Sequence, residues 1–583
     1  MHDDVRVIDS SSGIGQVRPT VLGRRHMVSS CHYLASLAGL RMFPRGGNAI
    51  DAGVAAGIAL NVVEPNLTSL GGVAPIMLFT PGMPRPVTID GVGRAGSSAT
   101  LETQLARWGT DMSDPLSRAV VPAALDAWLT ALARYGRLTL GEVLAPAIEL
   151  AEGFPVHARL ARTIARQADQ LRRWPASAVA FLTAGRPPAL GELLVQRDLA
   201  SLLRRLVGIE HAHAGRGRGA AIMAARDAFY RGDIAREIAE FLVREGGLVT
   251  FEDLASYHVS FEEPAHTAYR GYDVYATGAW SQGPVVPLTL NILEGFDLVA
   301  LGHNSAEHLH LLVEALKLAF ADREAYIGDP GFIGVPLAGM LSKDYAAEQR
   351  ARIDRSRAAP GLPRAGDPWR YEHREGLVPA PPRPLAGASS GDTSYVCAVD
   401  HEGNAFSATP SDPATGAPLV PGLGIIVSTR GAQFFLEQAH PSVIAPRKRP
   451  RLTPNPALAL RDGKVFMAFG CPGEDAQPQG MVQVFSNVVD FDLNVQEAIE
   501  APRAITWSFP RSFWPHAYLP GFLGVESRIP QVVRDELRSR GHDVHDYPDF
   551  TPAASGVCAI TVDERGTLAG GADPRRESLA VGW

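Results

Sequence analysis

One junction, two-thirds of the way along the chain, restricts its architecture more than any other feature. "LVPAPPRPLAGASSGD", residues 377–392, is too rich in Pro, Ala, Gly and Ser to pack as an element. "TSYVCAVDHEGNAFSAT" follows it directly. Tyr395, Cys397 and Val399 alternate with Ser394, Val396 and Ala398, which is the two-residue period of a strand. Asp400-His401-Glu402-Gly403-Asn404 supplies turn chemistry, and Ala405 to Thr409 reads as the returning strand. Residues 355–392 as a whole read as the strongest linker in the chain, and Thr393 begins a rigid strand immediately behind it.

A threonine hydroxyl is a poor nucleophile at neutral pH and needs a base. One economical base is the residue's own α-amine, whose pKa of about 7.7–8.0 leaves a neutral fraction at pH 7. That amine exists only once the bond before the threonine is cut. Disposable linker, scissile Asp392–Thr393 bond and rigid strand together describe a self-cleaving proenzyme. The plainer alternative is a Gly-Asp turn entering an ordinary strand, and this stretch alone leaves both open.

Composition narrows the field. The chain has 583 residues, 46% apolar and 20% charged, which is an ordinary globular balance with material for a sizeable core. A net charge of −7 argues against nucleic-acid and anionic-membrane partners. Cys31, Cys397, Cys471 and Cys558 are scattered and form no CxxC pair. "MHDDVRVIDSSSGIG" lacks the basic start and apolar core of a signal peptide. "AIDAGVAAGIALNVV", 49–63, is too short to span a bilayer and is interrupted by Asp51, so a buried helix is expected. These features together lead us to expect a cytoplasmic protein.

The segment 306–326 carries Leu309, Leu312, Val313, Leu316, Ala319 and Phe320 at helical spacing. His308 and His310 within it are two apart, not the i, i+4 spacing of a metal pair, and read as surface or cap histidines. Beyond Thr393 the chain turns to short strands, with helices near 477–490 and 529–541. Cys471 beside Pro472 is a second candidate nucleophile, but no paired histidine is indicated.

Several longer stretches carry a resemblance. "GGNAIDAGVAAGIALNVVEPNLTSLGGVAPIMLF", "GDTSYVCAVDHEGNAFSATPS", "GCPGEDAQPQGMVQVFSNVVDFDLNVQEAIEAPR" and the C-terminal "GGADPRRESLAVGW" resemble, in order, motifs of the γ-glutamyltranspeptidase family. The resemblance runs from about residue 25 to the end. It implies an α+β protein, a four-layer αββα sandwich of the N-terminal-nucleophile hydrolase type, built from two products of self-cleavage. Residues 1–392 would form the large subunit and residues 393–583 the small one.

Carried over position by position, Thr393 matches the nucleophile and Ser411 the second hydroxyl residue that bonds it. The backbone N–H groups of Gly473 and Glu474 match the oxyanion hole, with Glu474 standing where a glycine is usual. The substrate anchors depart from the pattern. Val92 aligns with the transpeptidases' carboxylate-binding arginine, with Arg94 two residues on and displaced by about 6 Å along a strand. Leu452 and Thr453 align with their paired serines, and Gln433 with the acid that receives the α-ammonium. Arg430 is an added cation. Neither Val nor Gln replaces the charge-assisted bonds of a γ-glutamyl group, which are worth about 1.5–3 kcal/mol each.

With Arg94 and Arg430 and no matching pocket acid in view, the pattern resembles the branch that includes oxamate amidohydrolase and the glutaryl-cephalosporin acylases. The implied function is a self-processing Thr-dependent amidohydrolase, working through an acyl-enzyme on a small amide with an anionic acyl group. The alternatives are a true γ-glutamyltransferase or glutathione hydrolase, and a non-processing binding homologue. No cofactor or metal is implied. The expected partners are the amide substrate and the two subunits of one precursor, and a homo-oligomer is compatible with the sequence.

Overall fold

The computed structural model describes residues 16–380, 382 and 393–583. Asp392, the expected residue before the scissile bond, lies outside them. Two seven-stranded sheets form the centre. In one, the strands run in the order Val21–Gly23, Leu568–Ala572, Cys558–Val562, Lys464–Gly470, Ala457–Arg461, Tyr272–Ala276, Ala265–Tyr269. In the other, the order is Leu579–Gly582, His26–Ser30, Val396–Asp400, Ala405–Ala408, Ile76–Phe79, Val87–Ile89, Phe261–Glu262. Neighbours in both sheets pair antiparallel.

The strand after Thr393 is central in its sheet, paired with His26–Ser30 on one side and Ala405–Ala408 on the other. Its alternation sorts its side chains between two cores. Tyr395, Cys397 and Val399 face Leu458, Ala468, Cys558 and Ile560 of the opposite sheet. Val396 and Ala398 face the helical layer that contains Ala49–Val63. On the far side, Val274, Ala457, Met467 and Phe469 pack under the helices Val285–Leu293, Ala306–Tyr326 and Gln477–Val489. Helix, sheet, sheet, helix is the expected four-layer αββα sandwich.

The Ala49–Val63 helix is buried along its whole length. Asn48 and Asp51 form a capping box, and the Asp51 carboxylate also accepts the Arg137 and Leu138 N–H groups. This is how one acid is tolerated in an otherwise apolar segment. Gly53 lets the helix approach the sheet, since a Cβ there would lie 2.1 Å from the Phe406 ring. Among the described residues no helix is long and apolar enough to cross a membrane.

Two expectations fail here. Ala306–Tyr326 is buried on nearly every side, because it lies between the Val285–Leu293 helix and the Gln531–Ser539 helix. His308 and His310 are therefore buried rather than surface residues, and burial pushes the His308 imidazole down to about 4. The segment 355–380 is also anchored more than its composition indicates. Ala358 N–H donates to the Arg540 carbonyl (2.8 Å), Gly366 N–H donates to Asp322 (3.1 Å), and Pro368–Glu372 forms a 3₁₀ turn.

Candidate active site

Thr393 stands at the entrance of the central strand, fully buried, and pairs with Ser411 in an isolated antiparallel bridge. Ser411 Oγ donates to Thr393 Oγ1 at 2.9 Å. Two backbone bonds fix this pair: Ser394 N–H to the Pro410 carbonyl and Ser411 N–H to the Val73 carbonyl, both 2.9 Å. The threonine hydroxyl therefore sits on a rigid scaffold, directly behind the stretch that reads as a linker.

Arg430, in the Arg430–Gln433 turn, reaches this pair from the side. Its guanidinium is fully buried, donates to Ser411 Oγ, and lies 3.4 Å from Thr453 Oγ1. It also lies over the Phe513 ring, 4.9 Å from its centroid. Gln433 Nε2 donates to the same Thr453 hydroxyl at 2.9 Å, while Gln433 Oε1 is buried without a hydrogen-bond partner. Gln282 Nε2 then bridges the Thr453 and Glu474 carbonyls, 2.9 Å from each. Thr393, Ser411, Arg430, Thr453, Gln433 and Glu474 thus belong to one connected network.

Arg94 stays half-buried, and the described hydrogen bonds of this network do not include it. Val92 and Leu452 pack with Val73 and Trp280 in a fully buried apolar cluster. The two positions expected to match the transpeptidases' arginine and one of their serines thus lie in hydrocarbon.

Gly473 and Glu474 both hold left-handed backbone, with φ of 115° and 53°, at the start of the short helix leading into Gln477–Val489. Glu474 bears this conformation without being glycine. Its carboxylate is drawn into an ion pair with Arg511, which neutralises the charge. Behind it the buried Asp475 pairs with Arg323 and accepts the Ser512 N–H at 2.7 Å.

One expectation about charge is corrected. A pocket acid does exist: Asp412 lies 3.3 Å from Arg430 Nε and also accepts the Ser428 and Thr429 hydroxyls at 2.6 and 3.1 Å. Asp412 follows Ser411 in the sequence, but its contact with Arg430 depends on the return of a distant turn. A second cation offsets it. Arg118 packs its backbone against Gly431, where a Cβ would meet the Arg118 carbonyl at 2.4 Å. Burial lowers its pKa, Asp412 leads the acids that oppose this, and its Nε is buried without a hydrogen-bond partner. Asp412 therefore acts on two arginines, with Asp114 and Asp111 adding to its effect on Arg118.

Other chemistry is less suited. Cys471 is fully buried and burial pushes its thiol up to about 12, so it is not a neutral-pH nucleophile. Among the described residues, His310, Glu314 and His542 form the one set spaced to hold a metal, with ligand atoms within 4.8 Å. The useful signal in the sequence is His310–Glu314 at i, i+4, rather than His308–His310. The buried Lys317 ammonium, however, already pairs with Glu314 at 2.7 Å, and a divalent ion would add two positive charges beside it.

Comparison with known proteins matches this arrangement to one family. The family described as gamma-glutamyltranspeptidase matches residues 35–583. The glutathione hydrolase-like YwrD proenzyme of Bacillus subtilis is 35% identical, over 97% of this chain and 99% of its own. The acylase ACY 1 proenzyme of Pseudomonas sp. is also 35% identical, over 96% and 94%. The crystal structure of cephalosporin acylase from Bacillus halodurans superposes with a TM-score of 0.84 at 30% identity, covering 99% of both chains. Full-length agreement in sequence and fold, with proenzymes among the relatives, shows that the chain belongs to the γ-glutamyltranspeptidase family of N-terminal-nucleophile hydrolases.

Proposed function

We propose that the protein is a self-processing amidohydrolase whose nucleophile is Thr393. The observation that carries this reading is the 2.9 Å bond from Ser411 Oγ to a buried Thr393 Oγ1 at the head of a central strand. Cleavage of the Asp392–Thr393 bond frees the α-amine. The amine takes the Oγ1 proton as the oxygen attacks the substrate carbonyl, and the oxyanion is held by the Gly473 and Glu474 N–H groups. The resulting ammonium protonates the departing amine, and water then releases the acyl group from Thr393.

The acyl group is anionic in this reading. Arg430, with Arg118 behind it, offers positive charge beside Ser411, and the Val92–Leu452 wall offers nothing to an α-carboxylate. Thr453 and Gln433 supply the neutral polar contacts, and Arg94 is a third cation outside the hydrogen-bonded network. A γ-glutamyl compound is the second reading, supported by the glutathione hydrolase-like relative and by the open Gln433 Oε1, an acceptor for an ammonium.

A side-by-side comparison of glutaryl-p-nitroanilide and γ-glutamyl-p-nitroanilide separates the two. The higher kcat/KM is expected for the glutaryl compound. A clear preference for the γ-glutamyl compound would replace this reading with the second.

A further inference from the structure

Glu64 is a carboxyl group beside the proposed nucleophile that the mechanism above does not use. It closes the Ala49–Val63 helix, is fully buried, and its Oε2 accepts the Ser394 hydroxyl proton. Ser394 is the residue after Thr393. Glu64 Oε1 is buried and has no hydrogen-bond partner.

The groups that face it explain this imbalance. The Cys31 thiol approaches from the end of the His26–Ser30 strand, His157 and Arg159 from the start of the Ala158–Arg172 helix, and Glu577 from the C-terminal segment. His157 is already matched by Glu577 at 3.4 Å. Burial outweighs the opposing Ser394 bond and cations and lifts the Glu64 carboxyl to about 7. On the Thr393 side the charged neighbours are Arg430, through Ser411, and Asp412.

A buried carboxylate with an open oxygen is costly unless a positive charge is due there. Cleavage before Thr393 would place an amine one residue away, and consecutive Cα atoms are only about 3.8 Å apart. That amine becomes an ammonium each time it takes the Oγ1 proton, in a buried site of low dielectric where a counter-charge acts strongly. We infer that Glu64 is a positioning residue for the nucleophile, fixing the peptide through Ser394 and countering the ammonium formed at Thr393 during attack. The inference rests on the Thr393 reading. In the step concerned the proton passes from Oγ1 to the α-nitrogen, the Oγ1–carbon bond forms and the carbonyl pair moves to oxygen. Glu64 gains and loses no atom.

The test is kcat and KM against pH for the processed wild type, Glu64→Gln, Glu64→Asp and Ser394→Ala, with Thr393→Ala alongside. Glu64→Gln keeps an acceptor for Ser394 but removes the charge. Its plateau kcat should fall roughly tenfold with KM nearly unchanged. The acid limb should move to lower pH, because an ammonium without its counter-charge loses its proton more readily. Glu64→Asp and Ser394→Ala keep the charge and should keep the limb in place. An unmoved limb in Glu64→Gln, or the same displacement in Glu64→Asp, overturns the inference. Should Glu64→Gln remain uncut, Glu64→Asp decides: a wild-type limb with lowered kcat supports the assignment, and unaltered kcat overturns it. Activity in Thr393→Ala would instead remove the Thr393 reading itself.

Discussion

At the scale of single residues, the site is a matter of which charges find partners. Arg430 serves Ser411, Thr453 and Asp412 at once, so Arg430→Ala should raise KM for anionic amides at least several-fold and change neutral amides less. Steady-state kinetics on a charged and a neutral acyl pair checks this. Glu64 gives a pH prediction with a definite sign. Its carboxyl is raised from 4.5 to about 7 in the folded protein, so the unfolded chain ionises first. Stability from this group is present below about pH 4.5 and is lost as pH rises toward 7. In the uncut Thr393→Ala background, where no amine faces it, Glu64→Gln should therefore be more stable at pH 8, by up to roughly 3 kcal/mol, and indistinguishable near pH 4. Thermal melts at the two pH values read this directly, and equal shifts at both would contradict it. The pairing of Thr393 with Ser411 was legible only through the family resemblance of the motif that holds both. Asp412 as the partner of Arg430, Gln282 as the bridge between Thr453 and Glu474, and Arg118 against Gly431 were not legible, because those contacts join separate segments of the chain and leave no local spacing.

At the scale of elements, pattern reading succeeded where the buried residues are apolar and failed where burial is achieved by paired charges. The alternation from Tyr395 to Val399 sorts correctly into two cores because a strand between two layers has two distinct faces. The Ala306–Tyr326 helix broke the rule, since Glu314, Lys317, Asp322 and Arg323 are buried with ion or hydrogen-bond partners that a one-dimensional period does not show. The Ala49–Val63 helix offers a test of packing. Gly53→Leu would drive a side chain into the ring of Phe406, on the strand that returns from Thr393. Destabilisation of about 1–3 kcal/mol or more is expected from such overpacking, measured by denaturant unfolding. A variant as stable as the wild type would show that the helix and sheet have room to separate.

At the scale of the whole molecule, the two expected products of cleavage are interleaved. The Val396–Asp400 strand pairs with His26–Ser30, and Ala457–Arg461 pairs with Tyr272–Ala276, so both sheets draw strands from either side of Thr393. Separating the products would break both sheets, and the cleaved protein should therefore run as one particle in native size-exclusion chromatography. Under denaturing conditions it should give two bands. The most direct test of the central claim is the N-terminal sequence of the smaller fragment in active, purified protein, read beside Thr393→Ala. The account predicts a fragment beginning Thr-Ser-Tyr-Val, and an uncut, inactive Thr393→Ala chain. An active protein that stays in one piece, or a fragment that begins at any other residue, would contradict it.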